Sequence, residues 1–539
     1  MYTKKLFLPF IFLFSFVFVW PHGSHAQDNG DIAVTASPAD ADENYSQNDF
    51  EDALEAYITL VEKYPESELF NYRVAVCYLN TNVDKTKAIP YLELVAHMKK
   101  HNDNTLYLLG RAYQFAYRFD DAIKAFADFH KEGKGTSDNM HDAELQTQYC
   151  INAKELMKFP VNATFENLGK NVNSSYDDYY PFVPTDESFL VFNSKKPGND
   201  KQKQTVNSFA PSIYISYVKN GEYSEAKGIG QPVDMPGKSE EVVGLSKGGD
   251  DMLLYYTDKK GFGSICMSTW QGDKGFGTPV PLSENINLKG QYQIAASITA
   301  DGNTLYFASD RPGGLGGIDI YSSKKLPNGN WGTPVNLGPS INTPSNEDFP
   351  NISPDGKTLY FSSQGHTGMG GYDIFKGTWN DSTKQWESVK NMGYPINTPD
   401  DDMNFRIATN GRYGYISQVR KGGFGGLDIY RVTFNTIEPR YSVLKGLVVS
   451  SDTSKKIKDY TEVLISVSDA KTQEMYGNYV PNATTGRYVI ILPPGKYHAT
   501  LQLDGYKEFE ENIEVQDKSS FQTEVDKDIV LSPGSSDKK

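Results

Sequence analysis

From about residue 38 to 158 apolar positions recur at helical spacing. Tyr45 to Pro65, YSQNDFEDALEAYITLVEKYP, predicts helical structure closed by a proline. Leu109 to Phe126, LGRAYQFAYRFDDAIKAF, repeats the design more cleanly. Its Gly110, Tyr113, Phe119, Ala122 and Phe126 alternate small and aromatic residues, so that paired helices approach closely and aromatics fill the wedge between them. Phe50, Ala53, Tyr57 and Pro65 match the equivalent positions of the earlier copy. A middle copy shows Ala75, Tyr78 and Ala88, with one extra residue in its turn and Pro90 near the start of its second helix.

From about residue 162 to 435 the pattern changes to short alternating runs with a period of about 54 residues. The best copy is Phe349 to Phe375, FPNISPDGKTLYFSSQGHTGMGGYDIF. Two further copies run from Ser297 to Tyr321 and from Arg406 to Tyr430, and degenerate ones start near Phe182 and Val242. One marker recurs at Ile213-Tyr214, Ile265-Cys266, Asp319-Ile320-Tyr321, Asp373-Ile374-Phe375 and Asp428-Ile429-Tyr430. A second, Asn or Asp after an apolar residue, recurs at Asn173, Asp234, Asn287, Asn342 and Asn397. Each unit predicts four short strands, and radial repetition of four-stranded sheets is a β-propeller. Thr164 to Gly169 reads as a last strand with no unit before it, and the final unit stops after DIYRVTF without its last strand. The two ends are expected to complete one blade and close a five-bladed ring. From 441 to 533 the chain alternates again, with Pro493, Pro494 and Gly495 between two strands, and 534–539 is expected to be a disordered tail.

Charge and composition narrow the function. A net charge of −15 argues against nucleic acid and against anionic membrane surfaces. Lys4 and Lys5, the apolar run Leu6 to Trp20 and Ser24-His25-Ala26 form a secretory leader over 1–26, with an apolar run too short for a membrane span. The mature chain is expected to have no transmembrane segment. Cys77, Cys150 and Cys266 are an odd count and read as buried apolar thiols.

Candidate chemistry is sparse. Gly244-Leu245-Ser246-Lys247-Gly248 matches G-x-S-x-G, yet Ser246 aligns with Ser353 before a hairpin turn rather than with a strand-to-helix elbow. No His/Cys spacing resembles a metal site. The expectation is a non-catalytic chain with no cofactor and no confident metal site. One acidic feature stands out: carboxylates precede the innermost strand of four units, at Asp177 and Asp178, Glu240 and Glu241, Glu347 and Asp348, Asp401 and Asp402, while the third has Gln291 and Gln293. Around one channel mouth they would hold a cation or attract a basic peptide. Alternatively, each caps its own turn.

The helical copies resemble tetratricopeptide repeats, and the 54-residue unit resembles TolB/WD-like propeller repeats. The segments T-G-R-Y, L-P-P-G-K-Y and D-G-Y-K from Thr485 to Lys507 resemble a carboxypeptidase regulatory-like, transthyretin-like sandwich. The order of leader, repeats, propeller and sandwich resembles a Bacteroidetes envelope family, some of whose members serve type IX secretion and gliding. Some members add an OmpA-like module; this chain is expected to have neither that module nor a lipid-attachment Cys. The resemblance implies a periplasmic adaptor, outer-membrane-associated through protein partners. The alternative is a sensor or carrier with a peptide or glycan in the propeller channel.

Overall fold

The computed structural model describes residues 37–196, 211–219, 221–234, 240–257, 263–409, 411–435, 442–483, 485–515 and 524–534. The leader expected at 1–26, and all of the tail but Gly534, lie outside the described residues.

Among the described residues seven helices come first: α1 (Pro38–Ser46), α2 (Phe50–Lys63), α3 (Glu68–Leu79), α4 (Ile89–Ala96), α5 (Thr105–Phe115), α6 (Phe119–Glu132) and α7 (Ser137–Leu156). Ser37, Ser67 and Thr136 cap α1, α3 and α7 by accepting a backbone N–H three residues on. The small positions of the repeat act as the spacing predicts. A Cβ on Gly110 of α5 would lie 2.4 Å from the Phe126 ring of α6, so only glycine lets the pair close. The extra residue of the middle copy is taken up by a 3-10 turn, Lys85–Ala88, and Pro90 opens α4, where a missing N–H costs nothing. Cys77 and Cys150 are buried here and unpaired, and burial pushes both thiols up to about 12.

Five antiparallel sheets follow. Their innermost strands begin at Asp178, Glu240, Gln293, Glu347 and, in the fifth, with the short pair Arg406–Ile407. Successive sheets share apolar clusters, and the fifth packs against the fourth through Ile374, Ile396, Phe405 and Ile416. One cluster draws on four sheets through Tyr180, Val242, Ala295 and Phe349 and on Met403 just before the fifth, which places it at the ring's centre. A bulge brings it there. The pairing of first and second strands shifts register in four sheets, and Tyr180 and Phe349 take φ of 53° and 49° at the shift. Their rings then meet with centroids 4.5 Å apart. Ala163–Asn167, from the start of the β region, pairs with Asp428–Phe434 at its end and closes the ring.

The remaining strands form two further sheets. They share one core of Val448, Ile465, Val467, Ile490, Leu492 and Leu501, among others. The turn at Pro493-Pro494 joins Arg487–Leu492 to Gly495–Gln502, two strands that belong to different sheets.

Candidate functional site

The eight carboxylates do not form one ring; they divide among three registers. Asp178, Glu240 and Glu347 open the inner strands, paired with Ser194, Tyr256 and Ser363, and Gln293 takes this place in the third sheet. Asp178 accepts from the N–H and hydroxyl of Ser174 at 2.6 and 2.7 Å. Glu347 accepts the same pair from Thr343, and Asp402 from Thr398. These residues close the turn before their own strand.

The residue before the cap reaches sideways. Asp177 accepts from Leu427 N–H at 2.9 Å and Asp401 from Tyr372 N–H at 2.8 Å, while Asn346 does the same for Ile318. Each thus ties its sheet to the preceding one. Glu241 and Asp348, one residue after the cap, occupy the third register. Burial pushes both up to about 7, against the pull of Lys195 on Glu241 and of Arg406 on Asp348. The physical reason for the division is strand geometry: neighbours along a strand point to opposite faces, so a sequence pair of carboxylates cannot line one channel. Among the described residues no cluster of His, Cys, Asp and Glu is placed to hold a metal ion.

The two periodic markers are halves of one device. The side-chain amide of Asn342 accepts from Ile320 N–H and donates to Ile320 O, at 2.8 and 2.9 Å. Asn397 does this to Ile374, Asn287 to Ile265 and Asn173 to Ile429. Ser246 of the G-x-S-x-G run accepts from Asp251 N–H at 2.9 Å, as Ser353 accepts from Thr358 N–H at 2.8 Å, so its hydroxyl holds a hairpin turn.

Both mouths of the ring are covered by the chain itself. At the end where the inner strands begin sits the helical region. Asn82 donates to Asp177 at 2.8 Å, and Lys85 pairs with Asp400 at 2.5 Å. Lys195, between Asp177 and Glu51, is pulled down by burial but lifted above its usual range by those two carboxylates. At the opposite end the C-terminal sheets meet the hairpin turns. Asn482 donates to Asp250 at 2.6 Å, Arg487 pairs with Asp186, and Lys445 donates to Asp186 O at 3.4 Å. On the outside, a cleft of about 780 Å³ between the third and fourth sheets is lined by Tyr306, Trp379 and Trp386 with Asp301, Lys324 and Lys384.

The sequence model of the tetratricopeptide repeat family matches residues 44–67. No curated protein matches the chain. TolB from Acinetobacter baumannii is similar in structure at a TM-score of 0.30 and 15% identity, over 55% of this chain and 70% of that one. An α-L-arabinofuranosidase from Lactobacillus brevis is similar at 0.31 and 13%, over 49% of this chain and 91% of its own. A prolyl endopeptidase is similar at 0.24 and 13%, over 66% of this chain, which spans 42% of that structure. The protein thus has a helical N-terminal region with a tetratricopeptide match, followed by a mostly β region resembling the propellers of TolB and of glycoside hydrolases.

These neighbours correct one expectation. The chain was expected to be no enzyme, yet glycoside hydrolases and a prolyl endopeptidase are among the structures it resembles, so that exclusion is withdrawn. Likeness at TM-scores of 0.24 to 0.37 assigns no reaction.

Proposed function

We propose that the chain is a periplasmic adaptor that holds protein partners in an outer-membrane-associated assembly, of the kind that serves type IX secretion and gliding. Its ring is read as a five-bladed TolB/WD-like propeller over 162–435, and its C-terminal sheets as a carboxypeptidase regulatory-like sandwich over 441–533. The leader at 1–26 and the order of the regions support the location. The observation that carries the reading is the three-part platform. The helical region and the C-terminal sheets sit on opposite mouths of a ring whose centre is packed by Tyr180 and Phe349, leaving the outward faces for partners. A ligand in the channel has less support, because that apolar cluster occupies the axis.

The test is in-cell crosslinking through a C-terminal tag, followed by mass spectrometry of the purified complexes. Outer-membrane or secretion-system components among the products support the adaptor; recovery of the protein alone rejects it.

A further inference from the structure

Three sheets carry the same glycine-framed loop between their second and third strands, GGLGG at 313–317, TGMGG at 367–371 and GGFGG at 422–426. The aspartate of the strand marker cages each loop. Asp319 accepts from the N–H groups of Leu315 and Gly316 at 2.5 and 3.2 Å, and Asp373 from those of Met369 and Gly370 at 2.8 and 3.3 Å. Asp428 accepts from Phe424 N–H at 2.7 Å. One frame therefore presents three different apolar tips. Leu315 and Phe424 are 48% and 49% exposed, whereas Met369 is 0% exposed. What covers Met369 is the helical region.

Two independent kinds of group meet this loop. The Met369 side chain joins an apolar pocket of Phe119, Phe126, Phe129, Ala143 and Cys150. Beside the pocket, a row of side-chain donors on α5 and α7 reads the loop's carbonyls. Gln114 donates to Met369 O at 3.2 Å, Asn152 to Gly368 O at 3.1 Å and Tyr149 to Gln364 O at 2.5 Å. Gln114 and Tyr149 are 0% and 5% exposed, so these donors are built into the face. Glycine is required at the approach: a Cβ on Gly370 would lie 3.0 Å from Gln114 Nε2 and 2.6 Å from Pro399 O.

Donors aimed at main-chain carbonyls, with one pocket for a side chain, are the means by which a protein reads an extended segment. We infer that the α5–α7 face is a binding groove for a glycine-framed methionine segment, and that residues 364–371 of this chain occupy it in cis. Methionine, unbranched and polarisable, fits such an irregular pocket. Because the cis segment is tethered, its effective concentration is high and it excludes a free competitor. A partner that engages this groove must carry a similar segment and displace the loop. The inference does not depend on the cellular role proposed above, and a failed crosslinking experiment leaves it unchanged.

The experiment uses a fluorescein-labelled peptide with the sequence of residues 364–372, QGHTGMGGY, titrated by anisotropy into the full-length protein and two variants. Met369→Asp expels the loop with a buried charge; Met369→Gly empties the pocket without one and serves if the first variant does not fold. Both variants are expected to bind at least about tenfold tighter than wild type, since apparent affinity scales with the fraction of vacant grooves. Adding Gln114→Ala and Asn152→Ala should remove that gain, and a peptide with Asp in place of its methionine should not bind. Equal binding to wild type and variants, or binding to neither folded variant, overturns the inference.

Discussion

The two ends of the ring are joined to their neighbours by different physics. At the helical end, beside the polar contacts of Asn82 and Lys85, a methionine is inserted into an apolar cluster, and the amide side chains of Gln114 and Asn152 bond main-chain carbonyls around it. At the other end the described contacts are polar, with Arg487, Lys445 and Asn482 meeting Asp186 and Asp250 at turns. Burial of an apolar plug is insensitive to salt and depends on shape. Charge pairs with an exposed member are screened and tolerate small shifts. The first junction therefore fixes register, while the second holds with more play.

The comparison breaks most sharply at Met369. Met369→Asp places an unpaired charge in an apolar pocket and should cost about 3–5 kcal/mol at that junction. Calorimetry should then show the helical region melting apart from the ring; a single unchanged transition would contradict the plug.

The ring between the junctions should respond to pH on its own account. Asp348, 4% exposed, is raised by burial from an ordinary 3.8 to about 7. A raised folded-state pKa contributes stability in full below about pH 4 and loses it as pH rises through about 7. Asp348→Asn should therefore flatten that fall and stabilise the protein at pH 8 by about 2 kcal/mol. Urea unfolding from pH 4 to 8 measures it, and an unaltered slope would refute the assignment.

The smallest effect belongs to the polar junction. Arg487→Ala should loosen the C-terminal sheets by about 1–2 kcal/mol, because the arginine is 39% exposed while Asp186, 1% exposed, loses its charged partner. Limited proteolysis should release the C-terminal region faster in the variant, and salt should narrow the difference from wild type. A variant cleaved at the wild-type rate in low salt would show that the pair does not hold this junction.

Much of this architecture was legible in the chain. Gly110 and Phe126 predicted a close helix pair because one small and one large residue at repeat spacing have few other uses. The unmatched strand at Thr164–Gly169 predicted a ring closed by its two ends, because a lone strand must pair somewhere. The period also revealed the Asn and Asp-Ile-Tyr markers, although not that Asn173 clasps Ile429, 256 residues away. Period reports that a position matters, and its partner is set in three dimensions.

The carboxylates misled for a related reason. Asp177-Asp178 and Glu347-Asp348 look alike in sequence but are displaced by one position relative to the cap, and one position along a strand reverses the face. Met369 was indistinguishable from Leu315 and Phe424, since the three loops share one local frame and differ in what stands opposite them.

The closing strand has a consequence in time. Glu166 and Arg431, paired across that seam, lie 265 residues apart, so the ring cannot shut until almost its last residue has been made. A chain that emerges from its N-terminus, whether from a ribosome or across a membrane, keeps this edge unpaired until those residues arrive. The helical groove, finished early, waits through most of that interval for the loop that will fill it. Until then the emerging protein has an open sheet edge and an empty groove that the folded one conceals, and both are surfaces a chaperone would meet.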